Sequence, residues 1–479
     1  MYPERTYNGE PEYVPLVTDL DDTLLRTDTL WEGIFCLLRQ KPLAAFKLPG
    51  LAACGPLPLK SYLAEYSLKN AELFPVNREV AAELEKAWAE GRKVYMASAA
   101  CLPVAKSIAA RFTFFSGIFA SEGGNNFKGE AKAEKLRREF GEKGFDYIGD
   151  SEADVPVWRA ARTALVLSAD ARVHKAAREA NSNCRILAAV APTFHDYFKA
   201  FRVHQWVKNI LLFMPMVLAH DFSPRACALV LLAFFSFSCC ASAIYVINDL
   251  FDLAADRQHV TKSKRPFAAG TIPLKNGLMC IAGMMLCSAL PCFVLPWRYS
   301  ACLMIYLVCT IVYSACFKRR LMLDVVVLAC LYVLRVLAGA VVIASSVSNW
   351  LLGFGVFLFL GLALLKRLGD IIQHETSGNL PGRAYDSIDK GVLESMAVAS
   401  GFSAMLVAAL YIDSLQAAHL YTQPLVLWLF CPLFIYWYGR LLIIAHRGGM
   451  GDDPVLYAMR DRNTWWCAAC GTVFLLCAM

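Results

Sequence analysis

Apolar and polar positions divide the chain in two. From residue 1 to about 200 charges recur throughout and apolar residues come in short runs. From about 205 onward, apolar runs of bilayer-spanning length follow one another to the C-terminus. In the first half, Tyr13–Thr18, Arg92–Ala97 and Phe145–Ile148 read as short strands among helical patterns, which predicts a soluble α/β domain over residues 1–195. In the second half, residues 196–479, the pattern predicts an all-α polytopic membrane domain of about nine transmembrane helices. They lie near 205–221, 226–247, 276–296, 299–317, 321–345, 349–365, 392–413, 423–445 and 463–479.

Composition agrees. An apolar fraction of 57% over 479 residues is too high for one soluble domain. The stretch Met1–Glu12 is polar and lacks the apolar core of a secretory signal, so the soluble half is expected in the cytosol. Positive charge then falls on the cytosolic loops, as in Lys262, Lys264 and Arg265, or Lys318, Arg319 and Arg320. The opposite loops carry little beyond Arg225 and Arg298. This placement explains the net charge of +7 without nucleic acid. The chain has 18 cysteines, many of them in apolar runs where Cys packs as a small hydrophobe. Cys467 and Cys470 read as packing, and the two residues after Cys477 are too few for a prenylation box.

The most informative stretch closes the run Ala226–Ile247. It reads Asn248-Asp249-Leu250-Phe251-Asp252-Leu253-Ala254-Ala255-Asp256. On a helix continuing from that run, Asp249, Asp252 and Asp256 share one face. Three clustered carboxylates repel unless a divalent metal joins them, and Mg²⁺ favours oxygen ligands together with substrate phosphates. The basic residues Arg257, His259, Lys262, Lys264 and Arg265 follow at once.

The soluble half has a second acidic set. The first strand runs into Asp19 and Asp21, a pair suited to nucleophilic attack on phosphorus and to acid/base work on the leaving oxygen. Ser98 follows the second strand, Lys132 lies in Gly129–Ala133, and Asp150 and Asp154 follow the third strand. Strand carboxyl ends are where open α/β sheets bind ligands. This ordered set resembles the haloacid-dehalogenase (HAD) superfamily of phosphatases over about residues 14–190. The resemblance implies a HAD-like, Rossmannoid fold with a helical cap over about 28–88. It makes Asp19 the nucleophile, Asp21 the acid/base, Ser98 and Lys132 the phosphate holders, and Asp19, Asp150 and Asp154 the Mg²⁺ ligands.

The tail Asn248–Gly270 resembles the UbiA superfamily of intramembrane prenyltransferases over about residues 200–479. By that resemblance Asn248, Asp249, Asp252 and Asp256 hold Mg²⁺ against a diphosphate, with Arg257, Lys262, Lys264 and Arg265 beside it. The start of the first span, Gln205–Asn209, the pair Lys366–Arg367 and the late Asp461–Arg462 look like one branch, the decaprenyl-phosphate phosphoribosyltransferases. Lys208 and Asn209 offer a phosphate site, although Trp206 beside them reads as an ordinary interface anchor. Arg383 and Tyr385 read equally as catalytic or as part of a polar hairpin. The resemblance implies a bifunctional enzyme of a bacterial inner membrane, with both acidic sets on the cytoplasmic side. One half moves phosphoribose from phosphoribosyl diphosphate (PRPP) to a polyprenyl phosphate, and the HAD half removes the 5-phosphate. The alternative is transfer of a polyprenyl group from its diphosphate to an aromatic acceptor, with the HAD domain in a separate role. A homo-oligomer is compatible with either.

Overall fold

The computed structural model describes residues 6–7, 10–11, 14–122, 126–375, 385–450 and 453–479. The chain forms two compact units, one of Met1–Phe201 with Tyr245–Ile281 and one of Arg202–Ile244 with Ala282–Met479. The acidic stretch Asn248–Asp256 therefore belongs to the same unit as the soluble α/β residues.

In the first unit a parallel sheet of six strands is built from β1 (Leu16–Thr18), β2 (Val94–Cys101), β3 (Phe115–Ser121), β4 (Asp146–Gly149), β5 (Ala164–Leu167) and β6 (Cys184–Leu187). Their order is β3-β2-β1-β4-β5-β6. The central strands are buried and rich in Leu, Val, Ile and Ala, as parallel strands covered on both faces must be. Thr18 pairs with Ile148, and the Asp19 amide donates to the Ile148 carbonyl at 2.9 Å. The carboxyl ends of β1 and β4, with their aspartates, are thus neighbours. The segment between β1 and β2 is helical and includes α1 (Thr29–Gln40) and α2 (Pro56–Leu68). Helix α3 (Glu130–Phe140) carries Lys132.

Among the described residues, seven helices are long and apolar enough to cross a bilayer. They include α4 (Pro224–Phe251), α6 (Leu274–Ala289, which continues to Phe293 as a tighter turn), α7 (Leu323–Val342) and α8 (Asn349–Glu375); α5 (Leu253–Gln258) is a short helix between α4 and α6. The expected first span is a 3₁₀ stretch, Val203–Phe213, followed by the short helix Met214–Leu218. It lies tight against α7, since a Cβ on Gly339 would meet the Leu212 carbonyl at 2.0 Å. The last expected span is a 17-residue helix, Arg462–Ala478. Helix α8 runs ten residues past the expected end of its span, so Lys366 and Arg367 sit within a helix and not in a loop.

Candidate active sites

The carboxyl ends of β1 and β4 and the start of α3 bring Asp19, Asp21, Lys132, Asp150 and Asp154 around one cleft of about 270 Å³. The backbone after Asp19 turns sharply, with Asp22 at φ 53°. The Lys132 ammonium donates to Asp19 Oδ2 at 2.9 Å, to the Tyr147 hydroxyl at 2.8 Å and to Asp154 Oδ1 at 3.4 Å. Tyr147 in turn donates to Asp154 Oδ1 at 2.9 Å, and the Asp150 and Ser151 amides donate to Asp154 Oδ2 at 3.2 and 3.3 Å. Asp21 accepts from the Thr29 amide at 2.8 Å, at the first turn of α1.

Carboxylates outnumber cations here. Burial, then the neighbouring Asp154, pushes the Asp19 carboxyl up, with Lys132 opposing. Burial, then Asp28, raises Asp21 well above the usual range, and burial, then Asp154 and Asp19, does the same for Asp150. Asp22 is pushed up to about 6 by burial and Asp28, against the pull of Lys275. Burial works against charge on Lys132, but Asp19 and Asp154 more than offset it and hold its pKa above the usual lysine value. Asp19, Asp150 and Asp154 each offer an oxygen within 4.8 Å of the others. Three hard oxygen donors with excess negative charge fit a divalent cation.

Ser98 departs from expectation. Strand β2 continues three residues beyond it with an irregular register between Ala97 and Cys101, so the serine is fully buried. Its hydroxyl accepts from the Ala100 amide at 3.0 Å, and the residues that line the cleft are Ala99, Ala100 and Cys101.

The stretch Asn248–Asp256 is not one continuous helix. Helix α4 ends at Phe251, Asp252 takes φ −98° and ψ 11°, and α5 restarts at Leu253. The break splits the acids two and one. Asp249 and Asp256 are buried and joined by Arg265, whose Nη1 donates to them at 3.1 and 2.6 Å. Asp252 pairs instead with Arg39 of α1 at 3.3 Å. Arg257, expected at the phosphates, is turned away onto Glu32 of α1. Lys264 is exposed and Lys262 partly exposed. The donors Asn248, Asp249, Asp252 and Asp256 are all hard oxygens, right in kind for Mg²⁺, and Arg265 holds the charge of two of them.

In the second unit, Lys208 is buried against Asp453, and the Lys366 ammonium reaches the same carboxylate at 3.4 Å. Burial alone would raise Asp453, but Lys366 and Lys208 overcome it and hold its carboxyl far below the usual range. Asn209 is buried too; it donates to Ser238 at 2.9 Å and accepts from Arg335 at 2.9 Å. Arg367 is enclosed by Asp324 and Asp370 at 2.5 Å each and by the Tyr313 hydroxyl at 3.1 Å. Tyr385 is buried and donates to Asp324 at 2.6 Å. Arg383 lies outside the described residues. Asp461 caps the last helix through the Thr464 amide at 3.0 Å and takes both Arg440 nitrogens at 2.5 and 3.0 Å. Arg462 is exposed.

Residues 16–159 match the haloacid dehalogenase-like hydrolase family, and residues 210–457, just over half the chain, match the UbiA prenyltransferase family. The chain belongs to the UbiA prenyltransferase family. It is thus an integral membrane enzyme of the transferase class, with an N-terminal HAD-like hydrolase domain. Among relatives, the uncharacterized protein y4nM of Sinorhizobium fredii is 32% identical over 95% of this chain and 89% of its own length. Nodulation protein NoeC of Azorhizobium caulinodans is 33% identical over 59% of this chain and 94% of its own. Decaprenyl-phosphate phosphoribosyltransferase of Mycolicibacterium smegmatis is 30% identical over 55% of this chain and 86% of its own.

The reading from sequence alone missed Asp324, Arg335, Glu32 and Lys275. The first two had a signal: a charge inside an apolar run is costly and usually functional or paired. Glu32 and Lys275 had none, because their partners are remote in sequence.

Proposed function

We propose that this UbiA enzyme transfers phosphoribose from PRPP to a polyprenyl phosphate, and that its HAD domain then removes the 5-phosphate of the lipid-linked product. The observation that carries this reading is the grouping of both acidic phosphate sites in one compact unit, with Asp21 and Asp256 on segments that meet at α1. The relatives named for phosphoribosyl transfer to decaprenyl phosphate support the choice of donor and acceptor.

In the transfer, an acceptor phosphate oxygen forms a bond to C1 of the ribose as the bond from C1 to the diphosphate breaks. Asp249 and Asp256, which now share Arg265, and Asp19 with Asp150 and Asp154 would hold Mg²⁺. Mg²⁺ at these sets supplies positive charge against phosphate oxygens. In the hydrolysis, the Asp19 carboxylate attacks phosphorus and Asp21 gives its proton to the departing sugar oxygen. Asp21 then takes a proton from the water that cleaves the aspartyl phosphate, and Lys132 balances charge on the phosphoryl oxygens. The upward shift of Asp21 by burial and Asp28 favours the protonated form that the first step uses. Both sites face the cytoplasm, where PRPP is made.

The test is mass spectrometry of lipids after incubation of the purified protein with Mg²⁺, PRPP and polyprenyl phosphate. The expected product is a lipid gaining ribose, with no gain in the Asp249→Asn variant. Consumption of a polyprenyl diphosphate with a phenolic acceptor, and of no PRPP, would replace this reading by aromatic prenyl transfer.

A further inference from the structure

We infer that the phosphatase cleft carries a second anion subsite built on Lys275, at the start of a membrane helix. It selects a phosphate monoester whose sugar also bears a phosphodiester with a lipid tail. This deepens the reading above and rests on it.

Lys275 lines the same cleft as Asp19 and Asp21, although 254 residues separate it from Asp21 in the chain. Its place is fixed by its neighbours. Ile272 and Leu274 are buried in one cluster with Phe35 of α1. The Asn276 amide donates to the Tyr197 hydroxyl at 3.0 Å. Gly270, at φ +69°, packs so closely on Arg26 that a Cβ there would lie 2.2 Å from the Arg26 carbonyl oxygen. The loop that delivers Lys275 is therefore held against the HAD residues.

Of the three other lysines that line the cleft, Lys128 is exposed and two have hydrogen-bond partners. Lys132 serves Asp19, Tyr147 and Asp154, and Lys60 donates to the Ala99 carbonyl at 2.8 Å and to Asn126 at 3.4 Å. Hydrolysis of a monoester uses Asp19, Asp21 and Lys132 and has no task for Lys275. An exposed ammonium at the cleft wall is suited to a second charge on the same substrate. Beyond it α6 turns apolar, and the residues three and four positions on, Leu278 and Met279, are exposed on the face of Lys275. A substrate whose second anion rests on Lys275 has an apolar surface next to that anion for its tail.

A soluble sugar bisphosphate shares the two-anion chemistry, so the test separates the sources. The full-length protein in detergent is given p-nitrophenyl phosphate (one anion), ribose 1,5-bisphosphate (two anions), or synthetic polyprenyl-phosphoryl ribose 5-phosphate (two anions and a tail). The expected result is the highest kcat/KM on the lipid-linked compound. Lys275→Ala lowers the preference for both two-anion substrates over p-nitrophenyl phosphate about tenfold, mainly through KM, as for loss of one charged contact to phosphate. Lys275→Arg restores it. If Lys275→Ala keeps that preference within about twofold of wild type, the subsite is overturned, even where the lipid-linked compound is hydrolysed best. If the soluble bisphosphate is preferred and Lys275 governs that preference, the subsite stands and the lipid-linked substrate falls.

Discussion

Glu32 and Arg257, 225 residues apart, form a buried ion pair with contacts of 2.5 and 3.1 Å. Each side chain is only 5% exposed. Thr27 donates to Glu32 at 2.7 Å, Arg257 donates to the Ala268 carbonyl at 3.0 Å, and its guanidinium lies over the Phe74 ring. The pair joins α1, whose first amide holds Asp21, to α5, which carries Asp256. Glu32→Ala leaves a buried guanidinium unpaired and is expected to cost about 3–5 kcal/mol. Replacing both residues, as in Glu32→Leu with Arg257→Met, is expected to cost less than Glu32→Ala alone. Thermal unfolding of the detergent-solubilised variants checks the order.

Asp21→Asn keeps the contact geometry with Thr29 but removes the transferable proton. Phosphate release is expected to fall by about 10²–10⁴. Lipid gain of phosphoribose should persist, and a malachite-green assay beside lipid mass spectrometry separates the two activities.

Gly270→Ala tests the seat of the Lys275 loop. The residue is left-handed at φ +69°, and the new methyl would strike the Arg26 backbone, which cannot step aside like a side-chain tip. The expected outcome is a lower unfolding temperature, with faster proteolysis near residues 260–275.

Asp453 gives a pH signature. Its folded pKa is depressed, so its ion pairs with Lys208 and Lys366 stabilise the protein fully above the unfolded value of about 3.9. That contribution is lost as pH falls through the folded value. Asp453→Asn is expected to cost about 3 kcal/mol at pH 7. The difference in unfolding temperature from wild type should narrow steadily below about pH 4. A constant difference across that range would show that the carboxylate charge is not what stabilises.

Much of the acidic cleft of the HAD-like domain was legible because its acids follow directly on strands. Asp19 and Asp150 sit where β1 and β4 end, and alternation and length locate such ends. The strand end expected at Ser98 falls at Cys101, because β2 runs on through an irregular register, which no periodicity announces. The acids of Asn248–Asp256 were legible as a motif, but not their division between Arg265 and Arg39. That division follows from a helix break at Asp252 and from α1, a segment more than 200 residues away. Lys366 and Arg367 looked like loop charges because polarity ended the apolar run, whereas α8 continues on ion pairs with Asp324, Asp370 and Asp453.

The most direct measurement uses PRPP labelled with ³²P at the 5-phosphate, in one turnover with polyprenyl phosphate and Mg²⁺. Label should enter the lipid fraction first and then appear as inorganic phosphate. With Asp19→Asn it should stay in the lipid, and with Asp249→Asn it should never arrive there. Label that is released as phosphate without passing through lipid, or that stays lipid-bound in the wild-type protein, would contradict sequential action of the two sites.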